Sequence, residues 1–347
     1  MVHLKELPFD DYHRVVLATC DKSDLRAVIA VHNINLGPAL GGCRVLEYDS
    51  INEQLTDALK LSKGMTYKSA LAGNKLGGGK ATIQGPLTRE KTVAFGKAMQ
   101  MFNKDEPLYY TAADVGTNNQ ILAEVAQETD FVNYKGQDCS IATAHGVFYA
   151  LSGALRYKGM FLDQIWCSIL GYGKVGKRLS DIIQNNEGMV IASDKYEIFP
   201  KTQYGVMPDL IPNQLGYTDY RIAHAKGDVF MPCALGGVLN QKNIDEMKPG
   251  HVVCGAANNQ LASQDMENEL IKKGITYVPD YLANAGGVII TAEQNGAYTD
   301  LDWSDPRVLP RLQAIEETTL TVLHRAEKER VSASLIADKM AEEAFNG

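Results

Sequence analysis

Two β-rich runs, residues 14–20 (RVVLATC) and 26–33 (RAVIAVHN), flank the polar stretch DKSD and predict a β-hairpin, with His32 as a strand-end residue. Beyond them the hydrophobic period lengthens. Ser50-x-x-Glu53 forms a capping box, and Leu55, Ala58, Leu59 and Ser62 follow at helical spacing, so a helix is expected to deliver the chain to Gly64. A short strand is expected to begin at Lys80, followed by an amphipathic helix over 88–103, a strand over 108–111 and a helix capped by Thr117-x-x-Gln120. The second half opens with a helix over 141–157 that ends near Gly159. An apolar strand over 165–170, a helical run to about Asn185 and a β-rich run over 189–193 come next. Further strands are expected at 229–231, 252–254 and 275–278, and helical sequence with one charged face over 312–345. Alternation of strand and helix in both halves predicts an α/β fold.

Length and composition narrow this picture. At 347 residues the chain exceeds the size at which one hydrophobic core keeps growing, so two domains are expected. With 45% hydrophobic and 22% charged residues it reads as an ordinary soluble globular protein. The net charge of −8, with no block of Lys and Arg, argues against a nucleic-acid partner. Six scattered cysteines without a CxxC pair, and an acidic polar start in place of a signal peptide, predict reduced thiols in a cytoplasm and no structural metal. No apolar run reaches membrane-spanning length, so no membrane partner is expected.

Candidate chemistry begins with residues 64–80, GMTYKSALAGNKLGGGK. A lysine is ordinarily a solvated surface charge. Here Lys68 and Lys80 stand among Met65, Tyr67, Ala70, Leu71, Ala72 and Leu76, and Gly77, Gly78 and Gly79 allow close backbone approach. A lysine so placed would lose solvation and could serve as a base near neutral pH. The segment Gly37-Pro38-Ala39-Leu40-Gly41-Gly42 reads as a turn, either a plain loop or a backbone surface that a small molecule touches. Asp114 is placed in a strand-to-helix turn, where it is either a turn carboxylate or part of a site.

In the second half, Gly171-Tyr172-Gly173-Lys174-Val175-Gly176 follows a strand and opens a helix. It is answered by Asp194, eighteen positions beyond its last glycine and at a strand end. That layout binds a dinucleotide: the glycines admit a pyrophosphate to the helix N-terminus and the carboxylate holds a ribose diol. Asp194 would repel a 2′-phosphate, favouring NAD, although Lys195 beside it blurs the preference. Three later strands end in polar or glycine-rich segments, PCALGG from Pro232, GAANNQ from Gly255 and NAGGV from Asn284, together expected to form a site along one sheet edge.

Taken in order, GPALGGCR, DALKLSKGMTYKSALAG, GGGKATI, TAADVGT, GYGKVG, PCALGG, GAANNQL and NAGGVI resemble the leucine/phenylalanine/valine branch of the amino-acid dehydrogenase superfamily. The resemblance covers about residues 37–290. It implies an N-terminal α/β substrate domain plus a Rossmann dinucleotide-binding domain with a cleft between them. The substrate and catalytic domain would span 1–139, the NAD-binding domain 140–324, and a C-terminal helix, 325–347, would pack back on the first domain. The implied reaction is reversible NAD-dependent oxidative deamination of an L-amino acid to the 2-oxo acid and ammonia, in a homo-oligomer. Lys68 would bind the substrate carboxylate with backbone help from Gly41 and Gly42, Lys80 would activate water, and Asp114 would shuttle protons. Asn258 would contact substrate or nicotinamide. Leu40, Met65, Ala113, Val288 and Thr291 would line the substrate site. Gly171, Gly173, Lys174, Val175, Gly176, Asp194, Thr143, Cys233 and Ala234 would hold the cofactor.

Two departures from the family pattern bear on specificity. The glutamate branch carries a lysine where this chain has Leu40, so an apolar side chain of leucine or valine type is expected. Thr291 stands where leucine enzymes usually carry valine, which leaves an aromatic substrate such as phenylalanine or tryptophan open. At Gln137-Asp138-Cys139-Ser140-Ile141-Ala142-Thr143-Ala144-His145-Gly146, His145 replaces a tyrosine. It either titrates near neutral pH beside the nicotinamide or fills the tyrosine's space. A 2-hydroxy-acid dehydrogenase would lack the paired lysines, and a non-catalytic NAD-binding regulator would lack Lys80 or Asp114.

Overall fold

The computed structural model describes residues 1–134, 138–194, 198–201, 227–248, 250–294 and 301–347. Gln137 and Lys195 lie outside the described residues. The chain opens with β1 (Val2–Glu6), β2 (Arg14–Cys20), β3 (Leu25–Asn33), β4 (Ala39–Leu46), α1 (Ile51–Leu71), β5 (Gly77–Gln84), α2 (Arg89–Phe102), β6 (Tyr109–Ala113) and α3 (Asn119–Val125). It continues with α4 (Ser140–Lys158), β7 (Trp166–Leu170), α5 (Lys174–Asn185), β8 (Met189–Ser193), β9 (Ile198–Lys201), β10 (Val229–Pro232), α6 (Gln241–Glu246) and β11 (Val252–Val253). The remainder is α7 (Asp265–Lys272), β12 (Thr276–Tyr277), α8 (Asp280–Ala283), α9 (Gly286–Gln294), α10 (Leu309–Glu329) and α11 (Ala333–Asn346). Contacts divide the chain into two compact units: Met1–Gln137 with Thr291–Leu301 and Ala341–Gly347, and Asp138–Ile290 with Asp302–Met340.

The first unit is built on a six-stranded sheet of order β1-β2-β3-β5-β4-β6. Its first half is antiparallel, whereas β5, β4 and β6 run parallel. The period of two in the hairpin sorts its side chains between two cores. Val15, Val28 and Ala30 pack with Ala58, Ile51, Leu55 and Leu59 of α1 on one face. Val16, Ala18, Ala27, Ile29 and Val31 pack on the other with α2 residues Ala94, Phe95, Ala98, Met99 and Phe102 and with Leu122 and Val125 of α3.

Several expectations change here. Residues 39–42 are strand, not turn: β4 lies between β5 and β6, so a glycine-rich run that reads as a loop is interior sheet. Helix α1 does not stop at Gly64. It continues to Leu71, because burial of Thr66, Tyr67, Ser69 and Ala70 offsets the roughly 1 kcal/mol that a helical glycine costs. The Ser50 Oγ accepts from the Glu53 amide at 3.1 Å, while Glu53 Oε2 reaches back to the Asp49 amide at 2.9 Å. Gly77, Gly78 and Gly79 belong to β5, and protein fills the space beside them. A Cβ on Gly79 would meet the Tyr109 ring at 2.5 Å, and one on Gly78 would collide with Thr66 of α1. The close approach that this run allows is therefore to protein: α1 at Gly78, the Tyr109 ring at Gly79 and the Asn33 carbonyl at Gly77. Thr117 does not cap α3; Asn118 does, its Oδ1 accepting from the Ile121 amide at 3.0 Å.

The C-terminal helical sequence is two helices, because Arg330 adopts a left-handed conformation (φ 56°) and Ser332 caps the next start by accepting from the Leu335 amide at 3.2 Å. The end of α11 packs within the first unit. Phe345 meets the rings of Tyr67 (5.6 Å between centroids) and His32 (6.5 Å), its carbonyl accepts from Asn35 at 2.9 Å, and Glu342 accepts the Tyr67 hydroxyl at 2.6 Å.

The second unit carries a six-stranded sheet of order β12-β11-β10-β7-β8-β9. All neighbours are parallel except β9, which runs antiparallel to β8. Chain order reverses between β7 and β10, which makes their carboxyl ends the crevice where such sheets bind ligands. The segment at Asn284 is helical rather than a strand-end loop: α8 and α9 flank it. Gly286 and Gly287 open α9 against α4, where a Cβ on Gly287 would stand 2.8 Å from Thr143 Oγ1.

Candidate active site

Three neighbouring strands of the first unit assemble a buried charge cluster. Lys80 lies in the middle of β5, and Asp114 follows the last residue of β6. Strand β4 runs between them. It lets the two side chains meet because Gly42 has none: a Cβ there would stand 2.6 Å from Asp114 Cβ. The Lys80 ammonium and Asp114 Oδ2 form a direct ion pair, with Lys80 only 6% exposed. Burial alone would raise the Asp114 carboxyl. The Lys80 ammonium, its hydrogen bond and the Arg44 guanidinium outweigh that and hold it below the ordinary carboxylate value.

From sequence Lys80 and Asp114 are expected at element ends, and what joins them comes from a third strand. Arg44, two residues beyond Gly42 and so on the same face of β4, puts its Nε 3.4 Å from Asp114 Oδ2. Its Nη1 lies 3.4 Å from Asp57 of α1, and the Tyr48 hydroxyl donates to the same carboxylate at 2.8 Å. Tyr109, fully buried, sets its hydroxyl 2.9 Å from the Gly41 carbonyl and 3.2 Å from that of Gly42. The Asp114 amide donates to Thr117 Oγ1 at 2.8 Å, and Thr117 Oγ1 lies 2.9 Å from the Cys43 carbonyl, so the turn after β6 is tied to β4. Arg44, Asp57, Tyr48 and Tyr109 were not singled out from the sequence. The arginine of GGCR has its partners on other elements, Asp114 after β6 and Asp57 on α1.

The remaining residues of this half divide. Met65 approaches Gly41, where a Cβ would lie 3.4 Å from its Cγ. Lys68, three residues on, is half-buried in the last turn of α1. Ala113 is exposed at the end of β6, whereas Leu40 is buried at 1% exposure. Thr291 falls in the first unit, where its carbonyl accepts from Asn133 Nδ2 at 3.1 Å.

In the second unit the glycine fingerprint occupies the expected place. Gly171 takes a positive φ of 105° at the end of β7, and a Cβ on it would stand 2.7 Å from that of Ala234 in the segment following β10. The two loops that bound the crevice are therefore in contact. Gly176 has no Cβ to hold α5 away from the Gly171 carbonyl, while the position above Gly173, which precedes the first residue of α5, is open. Lys174 is exposed and Val175 half-buried in the first turn. No side chain caps this twelve-residue helix, whose N-terminal amides suit a pyrophosphate. Asp194 follows the last residue of β8 and accepts the Tyr172 amide at 2.6 Å, which draws its carboxylate to the loop. These residues fit a nicotinamide dinucleotide. Cys233 follows β10, its amide donating to the Leu170 carbonyl at 2.7 Å. Asn258 is exposed, its Oδ1 accepting from Asn284 Nδ2 at 2.8 Å, and Val288 is buried in α9. Thr143 lies in the first turn of α4 and bonds the Cys139 carbonyl at 3.0 Å.

His145 does not titrate near neutral pH. It stacks on Trp303 with 3.6 Å between centroids and 15° between planes, and burial lowers it to about 4. The ring is a neutral stacking surface. Among the described residues no group of His, Cys, Asp and Glu is arranged to hold a metal, and no helix is long and apolar enough to cross a membrane. All six cysteines are free thiols.

Comparison with known proteins places these two sites in one family. Residues 13–131 match the Glu/Leu/Phe/Val dehydrogenase dimerisation domain, and residues 201–345 match the Glutamate/Leucine/Phenylalanine/Valine dehydrogenase domain. The chain is 35% identical to phenylalanine dehydrogenase of Caldalkalibacillus thermarum over 96% of its own length and 91% of that protein. It is 35% identical to valine dehydrogenase of Streptomyces albus, with 96% and 92% covered. Among solved structures, L-tryptophan dehydrogenase from Nostoc punctiforme superposes with a TM-score of 0.82 at 30% identity, covering 97% of this chain and 96% of that one. A buried lysine–aspartate pair on a glycine-lined sheet, a dinucleotide loop and similarity over nearly the whole chain lead to one assignment: the protein belongs to the glutamate/leucine/phenylalanine/valine dehydrogenase family.

Proposed function

We propose that the protein catalyses reversible NAD-dependent oxidative deamination of a hydrophobic L-amino acid to the 2-oxo acid and ammonia. The observation that carries this reading is the buried Lys80–Asp114 pair, a base and a proton partner in direct contact. Lys68 binds the substrate carboxylate, alongside the backbone of Gly41 and Gly42. Bound NAD supplies the acceptor for the hydride that leaves Cα. Lys80, in its neutral form, takes the proton of the water that attacks the resulting substrate iminium, and Asp114 beside it relays that proton. Burial around Lys80 excludes competing solvent.

Asp194 at the end of β8 favours a free ribose diol, hence NAD over NADP. Leu40 offers no charge for a side-chain carboxylate, which favours a substrate of leucine or valine type, and a valine dehydrogenase stands among the relatives. Thr291 and the likeness to phenylalanine and tryptophan dehydrogenases favour the aromatic alternative. A homo-oligomer is consistent with the dimerisation description of the N-terminal family domain, and a cytoplasmic location with six free thiols. The test is a panel of L-amino acids with NAD and NADP, following reduced cofactor at alkaline pH. Turnover should be confined to apolar or aromatic amino acids, and its absence with all of them overturns the proposal.

A further inference from the structure

The Lys80–Asp114 pair is the inner part of a longer chain of charges. From β5 to α1 it runs Lys80, Asp114, Arg44, Asp57, and ends at the Tyr48 hydroxyl. Two cations alternate with two carboxylates, and the side chains of Arg44 and Asp57 are 18% and 25% exposed. Such a network is neutral only while Lys80 is protonated. A base must lose that proton once in each cycle, and the Asp114 carboxylate, half-buried with Oδ2 shut off from solvent, would then face no compensating ammonium. An unpaired buried carboxylate takes up a proton. Arg44 cannot lose its own proton, and it lies against the same Oδ2.

We propose that Arg44 is a positioning residue for the reaction: its guanidinium, clamped by Asp57 and Tyr48, holds Asp114 turned toward Lys80 and favours its return to the anion once the proton it relays from Lys80 has passed on. This inference rests on the reading of Lys80 as the base. The groups facing Asp114 are Lys80 from β5, Arg44 and Cys43 from β4, and Tyr109 from β6, with Tyr48 beyond β4 also felt. Helix α1 contributes Asp57 and carries Lys68 three turns further along. Cys43 and Tyr109 are fully buried and both are raised by burial, so each stays neutral while Lys80 turns over. Arg44 is then the one permanent cation in this set that touches Asp114. Its placement follows from local structure: Gly42 opens the face of β4 and Arg44 re-covers it one strand period later.

The experiment compares Arg44→Gln and Arg44→Lys in the full-length enzyme. In Arg44→Gln, kcat is expected to fall at least tenfold, and the acid limb of the kcat/KM profile to move alkaline by about one pH unit, because a cation near both Lys80 and Asp114 is lost. Arg44→Lys keeps the charge and loses the fork, so the limb stays within a few tenths of a unit while kcat falls several-fold. NADH binding, read by fluorescence, is unchanged in both. A second readout needs no substrate: the ¹³C carboxyl resonance of Asp114 should titrate higher in Arg44→Gln than in the parent. A parent that turns over apolar amino acids while neither limb nor resonance moves in Arg44→Gln overturns the inference. A parent with no turnover but a shifted resonance overturns the proposed reaction and leaves the Arg44–Asp114 coupling standing. Should Arg44→Gln not fold, a limb displaced by a full unit in Arg44→Lys overturns the inference on its own.

Discussion

Gly42 and Asp114 are complementary: the Cβ that one lacks would stand 2.6 Å from the Cβ of the other. Gly42→Ala should push Asp114 away from Lys80 while β4 stays paired with β6 through its backbone. A displacement near 1 Å at reacting groups costs about a hundredfold in rate. We expect kcat to fall by about that factor with the thermal midpoint lowered by only a few degrees, measured by steady-state kinetics and calorimetry.

Lys80→Ala should remove most of kcat and leave NADH affinity unchanged, because the dinucleotide loop is built on different strands. It also has a signature in acid. Asp114 is depressed in the folded protein, so its stabilising contribution is present above the ordinary carboxylate value and lost as pH falls through the lower folded value. Lys80→Ala removes the principal cation, so acid unfolding should begin at higher pH. Circular dichroism against pH reads that onset.

His145 gives a slope of opposite origin. Burial holds it at about 4 against an ordinary 6.5, so between those values the unfolded chain binds a proton that the folded chain does not. Stability should rise with pH across that window. His145→Phe should keep the stack on Trp303 and reduce the difference in urea midpoint between pH 5 and pH 7. His32, also held at about 4 by burial, retains its own share.

Asp194→Asn keeps an acceptor for the Tyr172 amide and removes the charge. The preference for NAD over NADP should fall by about tenfold, the change that corresponds to roughly 1.4 kcal/mol. Ratios of kcat/KM for the two cofactors measure it.

Thr291→Val replaces a hydroxyl by a methyl at a position proposed to line the substrate site. The ranking of amino acids should move toward aliphatic side chains, with relative kcat/KM for leucine over tryptophan as the readout. An unchanged ranking removes Thr291 from the pocket.

Most helices and the hairpin strands are legible because their signals are local, whereas the edge strands Val2–Glu6 and Ile198–Lys201 carry no such signal. Arg14–Cys20 emerged with its expected bounds, and the helix expected over 88–103 became Arg89–Phe102 between its two caps. The glycines of the first unit, unlike the fingerprint at Gly171–Gly176, are hard to read in sequence for one physical reason. A glycine in sequence shows that a side chain is absent but not what approaches the gap. At Gly78 it is Thr66, at Gly79 the Tyr109 ring, at Gly42 Asp114, each supplied by an element distant in the chain. The same non-locality hid Arg44. Lys80 and Asp114 could be named from motif and resemblance, but the arginine's part depends on the register of β4 against β6 and on Asp57, which is set by α1.

The contact of Phe345 with Tyr67 and His32 bears on how the protein is made. Residues from both ends of the chain, Met1–Gln137 and Ala341–Gly347, belong to one compact unit. Synthesis runs from N- to C-terminus, so the unit that starts first is completed last. Until residue 345 leaves the ribosome, the rings of His32, Tyr67 and Tyr12 have one another but not Phe345, and the helix that carries Lys68 waits for its final brace.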